Sequence, residues 1–184
     1  MALDFTNEQL FRFKDLDATD LYLSYIDSFP PPVMSLARFR EIYFESMPFN
    51  RRYSFGYKEE GIIPGFLLTR ELAEKEVYIL LSAVRPAYRK RGLLRAMVDR
   101  LVIEAKGTGI CAISLDVDVQ NPGARQAFSQ LGFESGETHS ADLYSRADGP
   151  DDFGHERWGS VSADVGAERI DPSSPAVPSG RALK

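Results

Sequence analysis

The run Glu76-Val77-Tyr78-Ile79-Leu80-Leu81-Ser82-Ala83-Val84, followed at once by Arg85-Pro86-Ala87-Tyr88-Arg89-Lys90-Arg91-Gly92-Leu93-Leu94, decides the fold. Its first nine residues are apolar on both faces and read as a central strand covered from two sides. Beyond Gly92, the residues Leu94, Met97, Val98, Leu101 and Ala105 recur at helical spacing, and Gly107 ends the pattern. Between strand and helix, Arg85, Arg89, Lys90, Arg91 and Arg95 cluster with no acid among them. Cations at a helix start oppose its dipole by about 0.3 to 1 kcal/mol each. No Ser, Thr, Asp or Asn stands there to cap the helix, so its first N–H groups lack a side-chain acceptor. An external anion resolves both conflicts, and phosphate or pyrophosphate is the usual one. Gly92 lets it approach the backbone. On charge alone, a solvated basic loop is the competing reading.

Working outward, Cys111 to Val119 returns to strand, with Ile113, Leu115 and Val117 facing one way. Asn121 reads as a helix N-cap and Pro122 as the first helical residue. Ala124, Ala127, Phe128 and Leu131 form that helix's apolar stripe, Gly132 stops it, and Phe133 opens another strand. Upstream, Leu10 to Lys14 reads as an opening strand. Asp17 to Phe29 reads as a helix ended by Pro30, Pro31 and Pro32, and Ser35 to Ser46 as a second helix. Arg52 to Lys58 and Ile62 to Thr69 read as strands around the Glu59-Glu60-Gly61 turn. The order is strand, two helices, three strands, helix, strand, helix and one or two strands. That predicts an α/β (mixed α+β) fold with a central mixed sheet flanked by about four helices.

The chain has 184 residues and a formal net charge of -5. One cysteine, Cys111, excludes an internal disulfide framework and a Cys-rich zinc site, and two histidines leave little for a His-based one, so no metal is expected. No apolar run spans a bilayer and no signal-peptide core opens the chain, which predicts a cytoplasmic protein without a membrane partner. The mild acidity argues against a nucleic-acid partner. From Asp148 to Lys184, 14 of 37 residues are Gly, Pro or Ser, and that segment carries a net charge of -3. It reads as a disordered acidic tail, 148–184, behind a domain at 1–147.

The stretch from Ala83 to Leu94 resembles the strand-loop-helix signature of the GNAT superfamily of acyl-CoA-dependent N-acetyltransferases. Arg89 matches the first position of its Arg/Gln-x-x-Gly-x-Gly/Ala motif, Gly92 matches the first glycine, and Leu94 stands where Gly or Ala is usual. Downstream, Leu115-Asp116-Val117, Asn121, Ala124 and Leu131-Gly132-Phe133 resemble the family's fifth strand, next helix and Gly-Phe ending.

The resemblance implies that acetyl-CoA is the co-substrate. The backbone of Ala83 and Val84 would pair with its pantetheine arm. N–H groups from Lys90, Arg91, Gly92, Leu93 and Leu94 would cradle the pyrophosphate. Arg89, Lys90, Arg91 and Arg95 would reach the phosphates, and Asn121 would line the arm or simply cap its helix. A backbone N–H near Val84 would serve the oxyanion. Asp116 stands where many members carry a Glu base, and Glu76 is the other candidate. The usual tyrosine acid is replaced by Phe128, for which Tyr144, Tyr78 or Tyr88 could substitute. The activity implied is direct acetyl transfer to a primary amine, on a small molecule or a protein, by a monomer or homodimer. The alternatives are a non-catalytic acyl-CoA-binding regulatory module and a phosphate or nucleic-acid binder.

Overall fold

Each early helix starts where a side chain can receive its first N–H groups. In the computed structural model, which describes residues 10–12, 17–46, 48–72, 75–140 and 157–164, α1 spans Ala18–Ser28 and α2 spans Leu36–Arg40. Asp17 Oδ1 accepts from the Thr19 N–H at 3.3 Å, and Ser35 Oγ accepts from the Arg38 N–H at 3.2 Å. A π-helical stretch, Glu41–Ser46, continues α2, so the second predicted helix is α-helical only in its first half. Strand β1 (Leu10–Arg12) precedes these helices, and β2 (Phe55–Glu59), β3 (Ile62–Leu72), β4 (Glu76–Val84) and β5 (Ala112–Asp118) follow them. Helix α3 (Leu93–Lys106) crosses from β4 to β5, and α4 (Pro122–Ser129) leads to β6 (Glu134–Ser140).

These strands and β7 (Arg157–Asp164) form one mixed sheet in the order β1-β2-β3-β4-β5-β7-β6. Among the described strands only β4 and β5 run parallel, as the α3 crossover requires. One face packs on α3 and α4 through Val77, Ile79, Met97, Leu101, Ile113 and Leu115. The other packs on α1 and α2 through Leu21, Phe39, Phe66, Leu68 and Ala83. Both helix faces seal their side of the sheet: Met97, Leu101, Leu21 and Phe39 are fully buried.

Strand β4 is not covered evenly on both faces. Val77, Ile79 and Ala83 are buried, whereas Glu76, Tyr78 and Leu80 are half-buried. A register shift between Leu68 and Thr69 leaves Leu80 without a rung, since Leu68 pairs with Leu81 and Thr69 with Ile79. This bulge reverses the alternation of β4. Val77 and Ile79 face the α3 side before it, and Val84 packs on that side after it.

The expected tail needs correction over Arg157–Asp164. That segment is a strand inserted between β5 and β6, paired antiparallel with both. Its sequence alternates Gly159, Val161 and Ala163 with Trp158, Ser160 and Ser162, a period of two built largely from Gly, Ala and Ser. Gly and Ser in a strand mimic loop composition, which is why composition alone misreads it. The remainder of 148–184 lies outside the described residues, as do Phe13 and Lys14 of the predicted opening strand.

Candidate active site

Two strands that part company create the opening. β4 and β5 pair from Glu76–Ala112 to Ile79–Leu115, and no rung joins them beyond that. β5 continues to Asp118 paired with β7, while β4 continues to Val84 paired with β3. The β5-facing side of Leu80–Val84 therefore borders a cleft inside the sheet.

The ladder fixes which backbone groups face it. The Arg85 N–H donates to the Pro64 carbonyl at 2.9 Å, so the Gly65–Val84 rung is of the open type. By alternation, Phe66–Ala83 is a hydrogen-bonded rung and Leu67–Ser82 is open again. Ala83 thus turns its backbone groups toward β3, and it is Ser82 and Val84 that turn theirs toward the cleft. The cleft-facing backbone is thus that of Ser82 rather than Ala83, because sequence does not show which rung is which. The Val84 carbonyl is already engaged, accepting from Arg89 Nε at 3.0 Å.

At the wide end of the cleft stands the start of α3. Gly92 occupies the N-cap position in the left-handed region, with φ 86°, and no side chain caps the helix. A Cβ built on Gly92 would meet nothing within 4 Å, so the space before the helix is open. Its backbone conformation, not crowding, is what asks for glycine. Gly65 differs: a Cβ there would lie 2.9 Å from both the Ala83 carbonyl oxygen and Leu93 Cδ2. The absent side chain lets α3 seat its first turn directly on β3 and β4.

The five cations divide into two groups. Arg89 is exposed but engaged by backbone: besides Val84, its Nη2 donates to the Ser28 carbonyl at 2.6 Å, tying β4 to the end of α1. Arg85 forms an ion pair with Asp27 at 3.0 Å, and Arg95 Nη2 donates to the Gln130 carbonyl at 3.3 Å. Lys90 and Arg91 are exposed beside Gly92. The Arg91 guanidinium lies 5.3 Å from the centre of the Tyr88 ring. Burial raises the Tyr88 pKa, and its hydrogen bond to Glu59 raises it further. Tyr88 is also a platform for Arg91. Lys90 and Arg91 could meet a phosphate directly, whereas Arg89 shapes the loop that presents them. Asn121 is exposed and caps α4, accepting from the Ala124 N–H at 3.0 Å.

The two candidate bases occupy different depths. Glu76 begins β4 at the closed end and accepts a hydrogen bond from Ser114 Oγ. Asp116 is the first β5 residue past the last shared rung and accepts from the Tyr78 hydroxyl at 2.8 Å. Leu80 is four residues from Glu76, about 13 Å at ~3.3 Å per residue. The structure brings Asp116 and Tyr78 to the cleft and leaves Glu76 behind. Phe128 is buried at 3% exposure, edge-on to Phe133 with ring centres 5.3 Å apart. Tyr144 lies outside the described residues.

A mixed sheet that opens at its parallel pair, beside an uncapped helix start flanked by cations, can receive an extended ligand that ends in an anion. The Acetyltransferase (GNAT) family model matches residues 18–133, and the chain belongs to that family of acyltransferases. It is 28% identical over 109 residues to the ribosomal protein bS18-alanine N-acetyltransferase of Escherichia coli K12, covering 59% of this chain and 72% of that protein. The crystal structure of the Escherichia coli ribosomal-protein-S18-alanine N-acetyltransferase superposes with a TM-score of 0.64 at 20% identity, covering 88% of this chain and 96% of that one. A Bacillus subtilis acetyltransferase in complex with CoA superposes with a TM-score of 0.63 at 13% identity, covering 85% and 97%. Among the described residues no helix is long and apolar enough to cross a membrane.

Proposed function

We propose that this protein transfers the acetyl group of acetyl-CoA directly to a primary amine. The observation that carries the reading is the cleft itself: unshared strand β4 leads to the uncapped, cation-flanked start of α3. Lys90, Arg91 and the N–H groups of Leu93 and Leu94 suit the pyrophosphate. The outward groups of Ser82 and the Val84 N–H suit the amides of the pantetheine arm and the oxyanion of the attacked carbonyl. That orientation sends the thioester toward the last β4–β5 rung, where Asp116 can take a proton from the amine, directly or through water. No enzyme nucleophile is needed. Relatives that act on a ribosomal protein's alanine make a peptide α-amine the first acceptor to try.

Calorimetry with acetyl-CoA, followed by CoA-thiol release with alanine-initiated peptides and a panel of small amines, tests this reading. Saturable binding with amine-dependent thiol release is expected. Absence of acetyl-CoA binding sinks it. Tight binding without turnover on any amine favours a regulatory acyl-CoA-binding module instead.

A further inference from the structure

The family position for a proton donor holds Phe128, packed in the core against Phe133, and a phenyl ring has no proton to give. Where β4 and β5 part stands a tyrosine hydroxyl. Tyr78 lies two residues before the Leu80 bulge, on the rung with Ser114, and its hydroxyl reaches diagonally to Asp116 Oδ2 at 2.8 Å. Both residues are half-buried, so each can meet a substrate without being stripped of all solvent. The bond bridges the two strands at the point where they part, and that is where an arm laid along Val84 and Ser82 would end.

We infer that Tyr78 is the proton donor to the departing thiolate, and that Asp116 reloads it. The inference rests on the acetyl-transfer reading above. The acceptor enters as a neutral amine, its ammonium proton already lost to solvent. Its lone pair forms the C–N bond to the acetyl carbon, and the proton then on nitrogen passes to Asp116. The C–S bond breaks with its electron pair on sulfur. Tyr78 gives its hydroxyl proton to that sulfur while Asp116 returns a proton to the Tyr78 oxygen. The balance is amine plus thioester to amide plus thiol, with both side chains restored. Once Asp116 is protonated this hydrogen bond reverses, with Asp116 donating to the Tyr78 oxygen, and the concerted transfer avoids a free tyrosinate, which at an ordinary pKa of about 10 would be costly at neutral pH. Tyrosine here does at β4 what a donor on α4 would do from the other face.

The test uses Tyr78→Phe, which keeps the ring and removes the hydroxyl, with Asp116→Asn beside it. Calorimetry with acetyl-CoA should give wild-type affinity for both variants, which also shows that they fold. Ultraviolet titration of the CoA thiol bound to the intact protein needs no acceptor. In the wild type the donated proton stabilises the bound thiolate, so its pKa should lie lower than in Tyr78→Phe. Where an amine is turned over, Tyr78→Phe should lower kcat by about a hundredfold, the scale of a general acid, with KM nearly unchanged. A bound thiol that titrates identically in wild type and Tyr78→Phe overturns the proposal, as does undiminished kcat. Failure of the wild type to bind acetyl-CoA would instead overturn the reading on which it rests.

Discussion

Replacing Gly92 separates an anion site from a strained turn. Gly92 holds φ 86° with nothing within 4 Å of a built Cβ. Gly92→Ala therefore adds backbone strain alone, about 1 to 2 kcal/mol for a left-handed residue. Aspartate tolerates that region better, and its charge sits well at a helix start, worth about 0.3 to 1 kcal/mol. Gly92→Asp should thus be the more stable variant in urea unfolding. For a bound pyrophosphate the order reverses. A carboxylate about 4 Å from a phosphate charge costs about 4 kcal/mol at an effective dielectric of ~20. Gly92 is exposed, so solvent should screen roughly half of that, leaving about 2 kcal/mol, or about 30-fold in Kd. Calorimetry with CoA should show at least that loss for Gly92→Asp, shrinking at high salt, and a much smaller, salt-independent loss for Gly92→Ala. Equal losses in the two variants, or Asp binding as tightly as Gly, would refute an anion at this helix start.

Three further outcomes follow from the same geometry. Arg89→Ala should lower stability by about 0.5 to 1.5 kcal/mol, because it removes exposed donors from two carbonyls, whereas Lys90→Ala should leave stability within about 0.5 kcal/mol and weaken CoA binding in a salt-dependent way; parallel denaturation and calorimetry separate the two roles. Burial and Glu59 raise the pKa of both Tyr57 and Tyr88 above the ordinary 10.0, so the stability they lend is present below pH 10.0 and is lost as pH climbs through their folded values; the alkaline fall in unfolding free energy should be shallower in Tyr88→Phe and Tyr57→Phe. Phe128→Leu should cost about 0.5 to 3 kcal/mol of stability yet leave kcat within about threefold, since the ring packs and does not react; a large loss of kcat in a folded variant would contradict that.

What the sequence makes legible is set by how local each signal is. Helix α3, its missing cap and the cations around it are properties of consecutive residues, and all are found where the sequence puts them. The order of elements is equally local. The register of the Gly65–Val84 rung is not: it depends on a strand twenty residues away, and it moves the cleft-facing backbone from Ala83 to Ser82. Nor does the sequence show that the fold brings the Ser28 carbonyl to Arg89. Tyr78 and Asp116 are 38 positions apart, so the sequence offers each as a candidate without offering the pair. Glu76 carries the same carboxylate as Asp116 and differs only in depth along the strand, which no composition or spacing conveys. Strand β7 hides for another reason: its small residues read as loop in isolation and become strand only between two partners.

That strand also explains how the cleft can exist. Parting two strands within a sheet leaves backbone donors and acceptors without partners, and buried ones are costly. Here each parted strand keeps one neighbour: β4 pairs with β3 from Glu76 to Val84 except at the Leu80 bulge, and β5 pairs with β7 at all seven positions from Ala112 to Asp118. The gap is therefore one-sided for each strand, and its β4 wall is a short, half-buried edge over Leu80–Val84. Such an edge is a template for an extended ligand with its own amides. It follows that the segment read from composition as a tail holds one wall of the site. A chain ending at Ala147 should lose the β5–β7 ladder, leaving β5 paired only over Ala112–Leu115, and should neither unfold cooperatively nor bind CoA. Circular dichroism melts and calorimetry on that truncated chain against the full one decide the matter. Cooperative unfolding with full CoA affinity in the truncated chain would mean that β7 is dispensable and that the cleft is held open by other means.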